Sequence, residues 1–249
     1  MPSFIQTDTY TIRQYETDAN GRLAAPALMN WMQESANRNA IDYGIGISDL
    51  ARLGLGWVLA RLRLRIHRAP GYGETVRLMT YPTTIEKYFI YRAFRLLADD
   101  GTLLAEADST WLVFDTERRT MVTLPPFIRS LELPTGLIPS ERLPMKPAFP
   151  ALHTAPETSQ RERTVEWFDA DHNQHTNNVS YVRWLIEAVP ADMLKTEQLI
   201  ELDLCFRAES RWQDLLRLLV AVAPDGSLVH RVEHTDGREV LLARSVWQE

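Results

Sequence analysis

The densest group of polar side chains in the chain lies in residues 167–184, which read WFDADHNQHTNNVSYVRW. Three of them alternate along the chain: Asp171, Asn173 and His175. In an extended segment these three would project to one side, before Asn177 or Asn178 caps a helix. A histidine next to carboxylates can move protons, and the N-terminus of a helix stabilises negative charge on a carbonyl oxygen. The segment therefore predicts acid–base chemistry where a strand meets a helix.

A plainer explanation competes, because a turn rich in Asp and Asn with a surface histidine has the same composition. An internal repeat separates the two explanations. Four residues align without gaps with four identical residues further on: Asp18, Asn20, Trp31 and Glu34 with Asp171, Asn173, Trp184 and Glu187. The first copy has Arg22 where the second has His175. The turn residues are thus shared, whereas the reactive histidine occurs once.

Each copy also has the same predicted order of elements. A short strand comes first, then one helix at about 26–43 or 178–189, and then antiparallel strands. In the second copy the strands predicted after the helix are ELDLCFRAES and one on each side of Asp236-Gly237. Four later residues align at an offset of 136 instead of 153, so the second copy is 17 residues shorter: Asp100, Ala107, Ser109 and Trp111 with Asp236, Ala243, Ser245 and Trp247. The pairs Asp100-Gly101 and Asp236-Gly237 are typical of hairpin turns. This order predicts an α+β fold of two fused hotdog domains, each an antiparallel sheet wrapped around a central helix.

The boundary between the copies is marked by proline. Eight of the 14 prolines fall between Pro125 and Pro156. Proline fixes φ and removes a backbone donor, which excludes a continuous helix or a central strand. We therefore expect an N-terminal domain at 1–128, a linker at 129–160 and a C-terminal domain at 161–249.

Composition narrows the class of protein. The hydrophobic fraction of 45% is that of a globular chain, and a net charge of -6 argues against a general nucleic-acid binder. The single cysteine, Cys205, permits neither an intrachain disulfide nor a zinc cluster, and we expect it to pack in the core. No export leader and no membrane span are recognisable. We expect a cytoplasmic monomer or homodimer with no metal and no organic cofactor.

The segment DADHNQHTNNVSYVRWLIEAVP resembles the signature of the acyl-acyl-carrier-protein thioesterases of plants and bacteria, Asp-x-Asn-x-His-x-Asn-Asn-x-x-Tyr. Its named positions are filled by Asp171, Asn173, His175, Asn177, Asn178 and Tyr181. The resemblance covers nearly the whole chain, including LMNWMQESANRNA, ARLRLRIHRAPGYGETV and DSTWLVFDTERRTMVTLP. In ELDLCFRAES, Glu209 matches a functional Glu of the family, but Ser210 stands where Cys is usual.

The resemblance implies hydrolysis of the thioester of a fatty acyl-acyl carrier protein, which releases the fatty acid. Glu209 would act as general base on water, and Asn173 would orient that water or the Glu209 carboxylate. His175 would hydrogen-bond within this network and could protonate the departing thiolate, and Asp171 would fix the histidine or polarise the helix end. A covalent route would need Ser210 in place of the family's Cys. Without the resemblance, Glu209 is equally a surface carboxylate.

The resemblance also assigns the first copy to binding of the acyl chain. Candidate lining residues are Met29, Trp31, Met32, Trp57 and Tyr81, although core packing explains most of them. Acyl carrier protein is acidic, so a basic face is needed to dock it. The candidates are Arg61, Arg63, Arg65 and Arg68, with Arg118 and Arg119 as weaker ones. A solvated strand face explains these arginines equally well.

Three rival functions remain open. The first is an acyl-coenzyme A thioesterase on the same fold. The second is a non-catalytic acyl-binding protein, against which the single-copy His175 and Glu209 speak. The third is a hotdog dehydratase or hydratase, for which no matching His and Asp arrangement is present.

Overall fold

The computed structural model describes residues 5–150 and 158–249, in two compact units, Met1–Pro144 and Met145–Glu249. Part of the linker expected at 129–160 lies outside the described residues. Among the residues described, no helix is long and apolar enough to cross a bilayer.

The first unit is one antiparallel sheet with a long helix. Its strands are β1 (Gln6–Thr11), β2 (Leu55–Ile66), β3 (Thr75–Ile85), β4 (Phe89–Ala98), β5 (Leu103–Asp115) and β6 (Thr120–Val122). Its helices are α1 (Ala25–Asp42), α2 (Ile47–Ala51) and α3 (Pro126–Arg129). The strand order is β1-β3-β4-β5-β2, with β6 on β5. Helix α1 packs against β1 and β3, and its apolar residues Leu28, Met32 and Ala36 lie four apart on the buried face.

The segment after α3 covers one side of this sheet, although its prolines predict a linker there. Tyr81 donates to the carbonyl of Ile138 at 3.1 Å. Ser140 donates to the carbonyl of Arg92 at 3.1 Å, and Arg61 donates to the carbonyl of Pro144. Residues 138–144 are thus held by hydrogen bonds as part of the first unit.

The second unit repeats this architecture. Its strands are β7 (Thr158–Thr164), β8 (Gln198–Phe206), β9 (Leu215–Val222), β10 (Leu228–His234) and β11 (Glu239–Gln248). Its helices are α4 (Asn178–Glu187) and α5 (Ala191–Thr196). The order β7-β9-β10-β11-β8 matches β1-β3-β4-β5-β2 strand for strand. The predicted α+β pair of fused hotdog domains is confirmed, whereas β9 was not recognised from the sequence.

The repeat extends to individual hydrogen bonds. Trp111 Nε1 donates to Ser109 Oγ at 2.9 Å, and Trp247 Nε1 donates to Ser245 Oγ at 2.9 Å. The hairpin glycines Gly101 and Gly237 both have positive φ, at 90° and 88°, which side chains with a Cβ rarely adopt. Equivalent positions in the two units can therefore be compared atom by atom.

The core of the second unit lies between α4 and the sheet. Its fully buried side chains include Trp184, Leu202, Leu204, Val232 and Leu241. Cys205 is also buried and forms no disulfide among the residues described. This position agrees with the expectation that Cys205 packs in the core.

Candidate active site

The Asp171–His175 segment is a tight turn, and the expected extended alternation is wrong. One oxygen of Asp171 accepts hydrogen bonds from the backbone N–H of Asn173 at 2.8 Å and of His175 at 3.2 Å. The backbone N–H of Asp171 donates to the carbonyl of His175 at 2.8 Å. An Asp side chain that captures nearby N–H groups competes with an extended strand. Asp171 therefore sets the backbone from which His175 projects.

Helix α4 begins directly after this turn. Asn177 is its N-cap, and its side chain accepts from the N–H of Val179 at 3.0 Å. Asn178 is the first helical residue. The prediction that Asn177 or Asn178 caps the helix is confirmed for Asn177. Because Asn177 satisfies the N–H of Val179, the helix end offers one donor fewer than expected.

His175 and Glu209 lie together, although 33 residues separate them in the sequence. His175 Nε2 is 3.3 Å from a carboxylate oxygen of Glu209. Their side chains are 26% and 31% exposed, so solvent reaches both. Glu209 follows the end of β8 and is not within the strand. A proton can pass between two groups at this distance.

The carbonyl of Glu209 has a partner that the sequence does not predict. His234, the last residue of β10, has Nε2 at 3.1 Å from the Glu209 carbonyl oxygen. Its other ring nitrogen lies 4.0 Å from Asp214. The local sequence does not predict this contact, because the fold of the sheet, and not proximity in the chain, brings the end of β10 to the segment after β8. His234 thus ties the peptide of Glu209 to β10.

The surroundings of the Ser210 side chain differ from those of a nucleophilic serine. Its side chain is 1% exposed, and its Oγ lies 2.6 Å from Thr176 Oγ1 and 2.7 Å from Tyr181 Oη. Burial raises the pKa of Tyr181, so its phenol keeps its proton. A nucleophilic serine needs hydrogen-bond contact with its base. Ser210 instead contacts two hydroxyls.

Asn173 has an exposed side chain at the tip of the turn. Its backbone N–H supports the turn through Asp171. The structure brings His175 and Glu209 into contact and leaves the amide of Asn173 facing solvent. A role for that amide in orienting water remains a prediction.

The first unit keeps the turn without the reactive pair. Asp18 accepts from the N–H groups of Asn20 at 2.9 Å and Arg22 at 3.0 Å, as Asp171 does in the second unit. Leu23 N–H donates to the carbonyl of Pro70 at 2.8 Å. The equivalent bond in the second unit runs from Thr176 N–H to the carbonyl of Ser210 at 2.8 Å. Arg22, Ala69 and Pro70 therefore occupy the positions of His175, Glu209 and Ser210.

The five candidate acyl-lining residues belong to the interior of the first unit. Met29, Trp31, Met32 and Tyr81 are buried, and Trp57 is partly buried. Trp31 stacks on Tyr10 with ring centroids 4.4 Å apart. Trp57 Nε1 donates to the carbonyl of Ile45 at 2.8 Å. Core packing accounts for these contacts, and acyl binding by these residues remains a prediction.

The basic face expected on β2 is not an open cationic surface. Arg61 is fully buried because residues 138–144 cover it, so its assignment to a docking surface is wrong. Arg63 and Arg65 both pair with Glu141, at 2.8 Å and 2.9 Å. Two more candidates also have acidic neighbours: Arg68 pairs with Glu74 at 2.8 Å, and Arg118 lies 3.8 Å from Asp115. Docking by Arg63, Arg65 and Arg68, or by Arg118 and Arg119, remains a prediction.

Two family models match this chain, one in each unit. Residues 4–131 match the acyl-ACP thioesterase N-terminal domain, and residues 152–249 match the acyl-ACP thioesterase C-terminal domain. The palmitoyl-acyl carrier protein thioesterase of Cuphea hookeriana is 28% identical over 96% of this chain and 61% of its own length. The chain thus spans about three fifths of the length of that curated relative.

Solved structures share the fold. The 12:0-ACP thioesterase of Umbellularia californica has a TM-score of 0.83 and 26% identity, with 100% of this chain and 98% of that chain covered. An acyl-ACP thioesterase of Bacteroides thetaiotaomicron has a TM-score of 0.81 and 21% identity, with 98% of each chain covered. Together with the two matched domains, these likenesses identify the chain as a member of the acyl-ACP thioesterase family.

Proposed function

We propose that this chain hydrolyses the thioester bond of fatty acyl-acyl carrier protein and releases the free fatty acid. The observation that carries the proposal is the His175–Glu209 contact of 3.3 Å. The pair is present in one unit and replaced by Arg22 and Ala69 in the other, although both units keep the same turn. A shell that merely bound acyl chains would not need an acid–base pair in one unit alone.

In this mechanism Glu209 removes a proton from a water molecule, and the water oxygen attacks the thioester carbonyl carbon. The negative charge on the carbonyl oxygen is stabilised at the N-terminal end of α4, where Asn178 begins the helix. The carbon–sulfur bond then breaks, and the departing thiolate takes a proton from His175. Glu209 returns its proton to His175 across the 3.3 Å contact. Water is consumed, and one carboxylic acid and one thiol are formed.

Asp171 and Ser210 have supporting roles in this scheme. Asp171 fixes the backbone of His175 through its two N–H contacts. Asn173, exposed beside them, is the candidate to orient the attacking water. Ser210 is buried and bonded to other hydroxyls, which favours a water mechanism over a covalent serine intermediate.

The preferred acyl donor distinguishes the proposed activity from that of an acyl-coenzyme A thioesterase. Palmitoyl- and octanoyl-carrier protein are compared with the matching coenzyme A esters, and thiol release is measured. We expect turnover of the carrier-protein esters to exceed that of the coenzyme A esters. Preference for coenzyme A esters would support an acyl-coenzyme A thioesterase, and no release from any ester would support a non-catalytic acyl-binding protein.

Two histidines of the turn provide a matched pair of variants. His175→Ala removes the imidazole that contacts Glu209, whereas His172→Ala removes an exposed imidazole of the same turn. Loss of an acid–base group costs about 10²- to 10⁴-fold in kcat, so we expect this loss for His175→Ala alone. Equal activity of the two variants would remove His175 from the mechanism.

Location and assembly complete the proposal. Cys205 forms no disulfide among the residues described, which is compatible with a reducing compartment. We propose the cytoplasm, although the Cuphea relative is named as chloroplastic. Fluorescent tagging in the source cell tests this. We propose a monomer or homodimer, which light scattering during gel filtration distinguishes.

A further inference from the structure

A buried group of three hydroxyls lies next to the segments that carry His175 and Glu209 in the second unit. This hydroxyl cluster consists of Thr176, Tyr181 and Ser210, and all three side chains are buried. Ser210 Oγ is its centre, 2.6 Å from Thr176 Oγ1 and 2.7 Å from Tyr181 Oη. A hydroxyl donates one hydrogen bond and accepts up to two, so Ser210 can donate to one neighbour and accept from the other.

The cluster joins the two segments that carry the reacting side chains. Thr176 follows His175 in the chain, and Ser210 follows Glu209. The backbone N–H of Thr176 also donates to the carbonyl of Ser210 at 2.8 Å. Tyr181, in helix α4, connects this junction to the helix. Movement of any one hydroxyl would therefore change the separation of His175 and Glu209.

The first unit indicates that the fold does not require the cluster. Its equivalent residues are Leu23, Leu28 and Pro70, none of which has a side-chain hydroxyl. The backbone hydrogen bond from Leu23 to Pro70 nevertheless forms at 2.8 Å, the same length as its counterpart from Thr176 to Ser210. Apolar side chains thus suffice to close this junction. The hydroxyls occur in the unit that has the histidine–glutamate pair.

We infer that the hydroxyl cluster positions Glu209 against His175, and that Ser210 is a positioning residue rather than a nucleophile. The inference rests on the proposed hydrolysis at this pair. Fixed hydrogen bonds hold side chains more narrowly than apolar packing alone, and a misplacement of about 1 Å at a reacting group costs about 10²-fold in rate. Because the three side chains are buried, the cluster acts through Glu209 and His175.

Three variants remove one hydroxyl each: Ser210→Ala, Thr176→Val and Tyr181→Phe. We expect each to lower kcat by roughly 10- to 100-fold, with KM changed by less than about twofold, because geometry rather than binding is lost. Because the hydroxyls act as one unit, the double variant Ser210→Ala/Tyr181→Phe should be no slower than its slower parent. Thr176→Ser keeps the hydroxyl and should restore most of the rate.

Ser245 provides the matched control. It is also buried, with Oγ 2.8 Å from His230 Nε2 and 2.9 Å from Trp247 Nε1. Ser245→Ala therefore removes a comparable buried hydroxyl from the same unit. We expect it to lower Tm about as much as Ser210→Ala while kcat stays at the wild-type value. A loss of kcat in Ser245→Ala equal to that in Ser210→Ala would overturn the inference, since general destabilisation would then explain both.

A spectroscopic measurement separates this inference from the proposed function. The imidazole nitrogen resonances of His175 report its contact with Glu209, and they need no substrate. We expect Ser210→Ala and Tyr181→Phe to shift them and Ser245→Ala to leave them in place. Unshifted His175 resonances in both cluster variants would overturn the positioning role, whether or not the wild type hydrolyses a thioester. Complete loss of activity in Ser210→Ala, with Thr176→Val and Tyr181→Phe at full rate, would instead point to a nucleophilic serine.

Discussion

Replacement of His230 by phenylalanine should stabilise the second unit, and by more at acidic pH. His230 is fully buried in β10, with Nε2 2.8 Å from Ser245 Oγ. Its Nδ1 has no hydrogen-bond partner among the residues described, and the adjacent void among Leu185, Leu202 and Trp247 is too narrow for a water molecule. Burial lowers the pKa of this imidazole from 6.5 to about 3. The imidazole is thus neutral in the folded protein, and in acid it must release its proton when the chain folds.

The sign of the pH dependence follows from that lowered pKa. Below pH 6.5 the unfolded chain binds a proton at His230 that the folded chain does not, so folding stability falls as pH falls toward about 3. The slope approaches about 1.4 kcal/mol per pH unit, which amounts to about 2 kcal/mol between pH 8 and pH 5. The unpaired Nδ1 costs a further 1 to 3 kcal/mol at either pH, offset by about 1 kcal/mol for the lost bond to Ser245.

We therefore expect His230→Phe to raise the free energy of unfolding by about 1 kcal/mol near pH 8 and by about 3 kcal/mol near pH 5. Urea titrations followed by circular dichroism measure both values. The first unit supplies the control, because Phe94 faces Ala107 in the register in which His230 faces Ala243. Phe94→His should destabilise, and more so at pH 5. An equal effect of His230→Phe at both pH values would refute the assigned protonation.

Two further predictions concern the loops around the site. Gln213 has a φ of 71°, and its equivalent in the first unit is Gly73 with a φ of 81°. Because a Cβ at such a φ costs about 1 kcal/mol, Gln213→Gly should raise the urea midpoint slightly or leave it unchanged. A clear decrease in the midpoint would contradict the assigned backbone strain. Asn177→Ala should lower the free energy of unfolding by about 1 kcal/mol, because the N–H of Val179 loses its cap. Asn178→Ala, at the first helical position, is the control. An equal loss of stability in both variants would contradict the role of Asn177 as the N-cap.

Periodicity and the internal repeat predicted most of the architecture. The helix expected at 26–43 is Ala25–Asp42, because apolar residues at helical spacing give an unambiguous buried face. The hairpins at Gly101 and Gly237 also followed from sequence, since an Asp-Gly pair suits a turn with positive φ. Strand β9, Leu215–Val222, was overlooked although its apolar residues are those of a buried strand.

The site was predicted less completely, for reasons of tertiary structure. The alternation of arginine and apolar residues in β2 predicts the face of the sheet on which Arg61 lies. It does not reveal that residues 138–144 cover Arg61. The contact between Glu209 and His234 depends on the fold, which brings the segment after β8 to the end of β10, and no local pattern encodes it. The Asp171 turn was predicted as extended because spacing alone does not reveal that a side chain captures backbone N–H groups.

Glu209 is the general base of the proposed mechanism, and one measurement tests this role. Thiol release from palmitoyl-carrier protein is compared for the wild type, Glu209→Gln and Glu162→Gln, the last of which changes an exposed carboxylate on β7. Because a general base contributes about 10²- to 10⁴-fold, we predict that Glu209→Gln loses that factor in kcat while Glu162→Gln keeps the wild-type rate. Wild-type turnover by Glu209→Gln would contradict the mechanism.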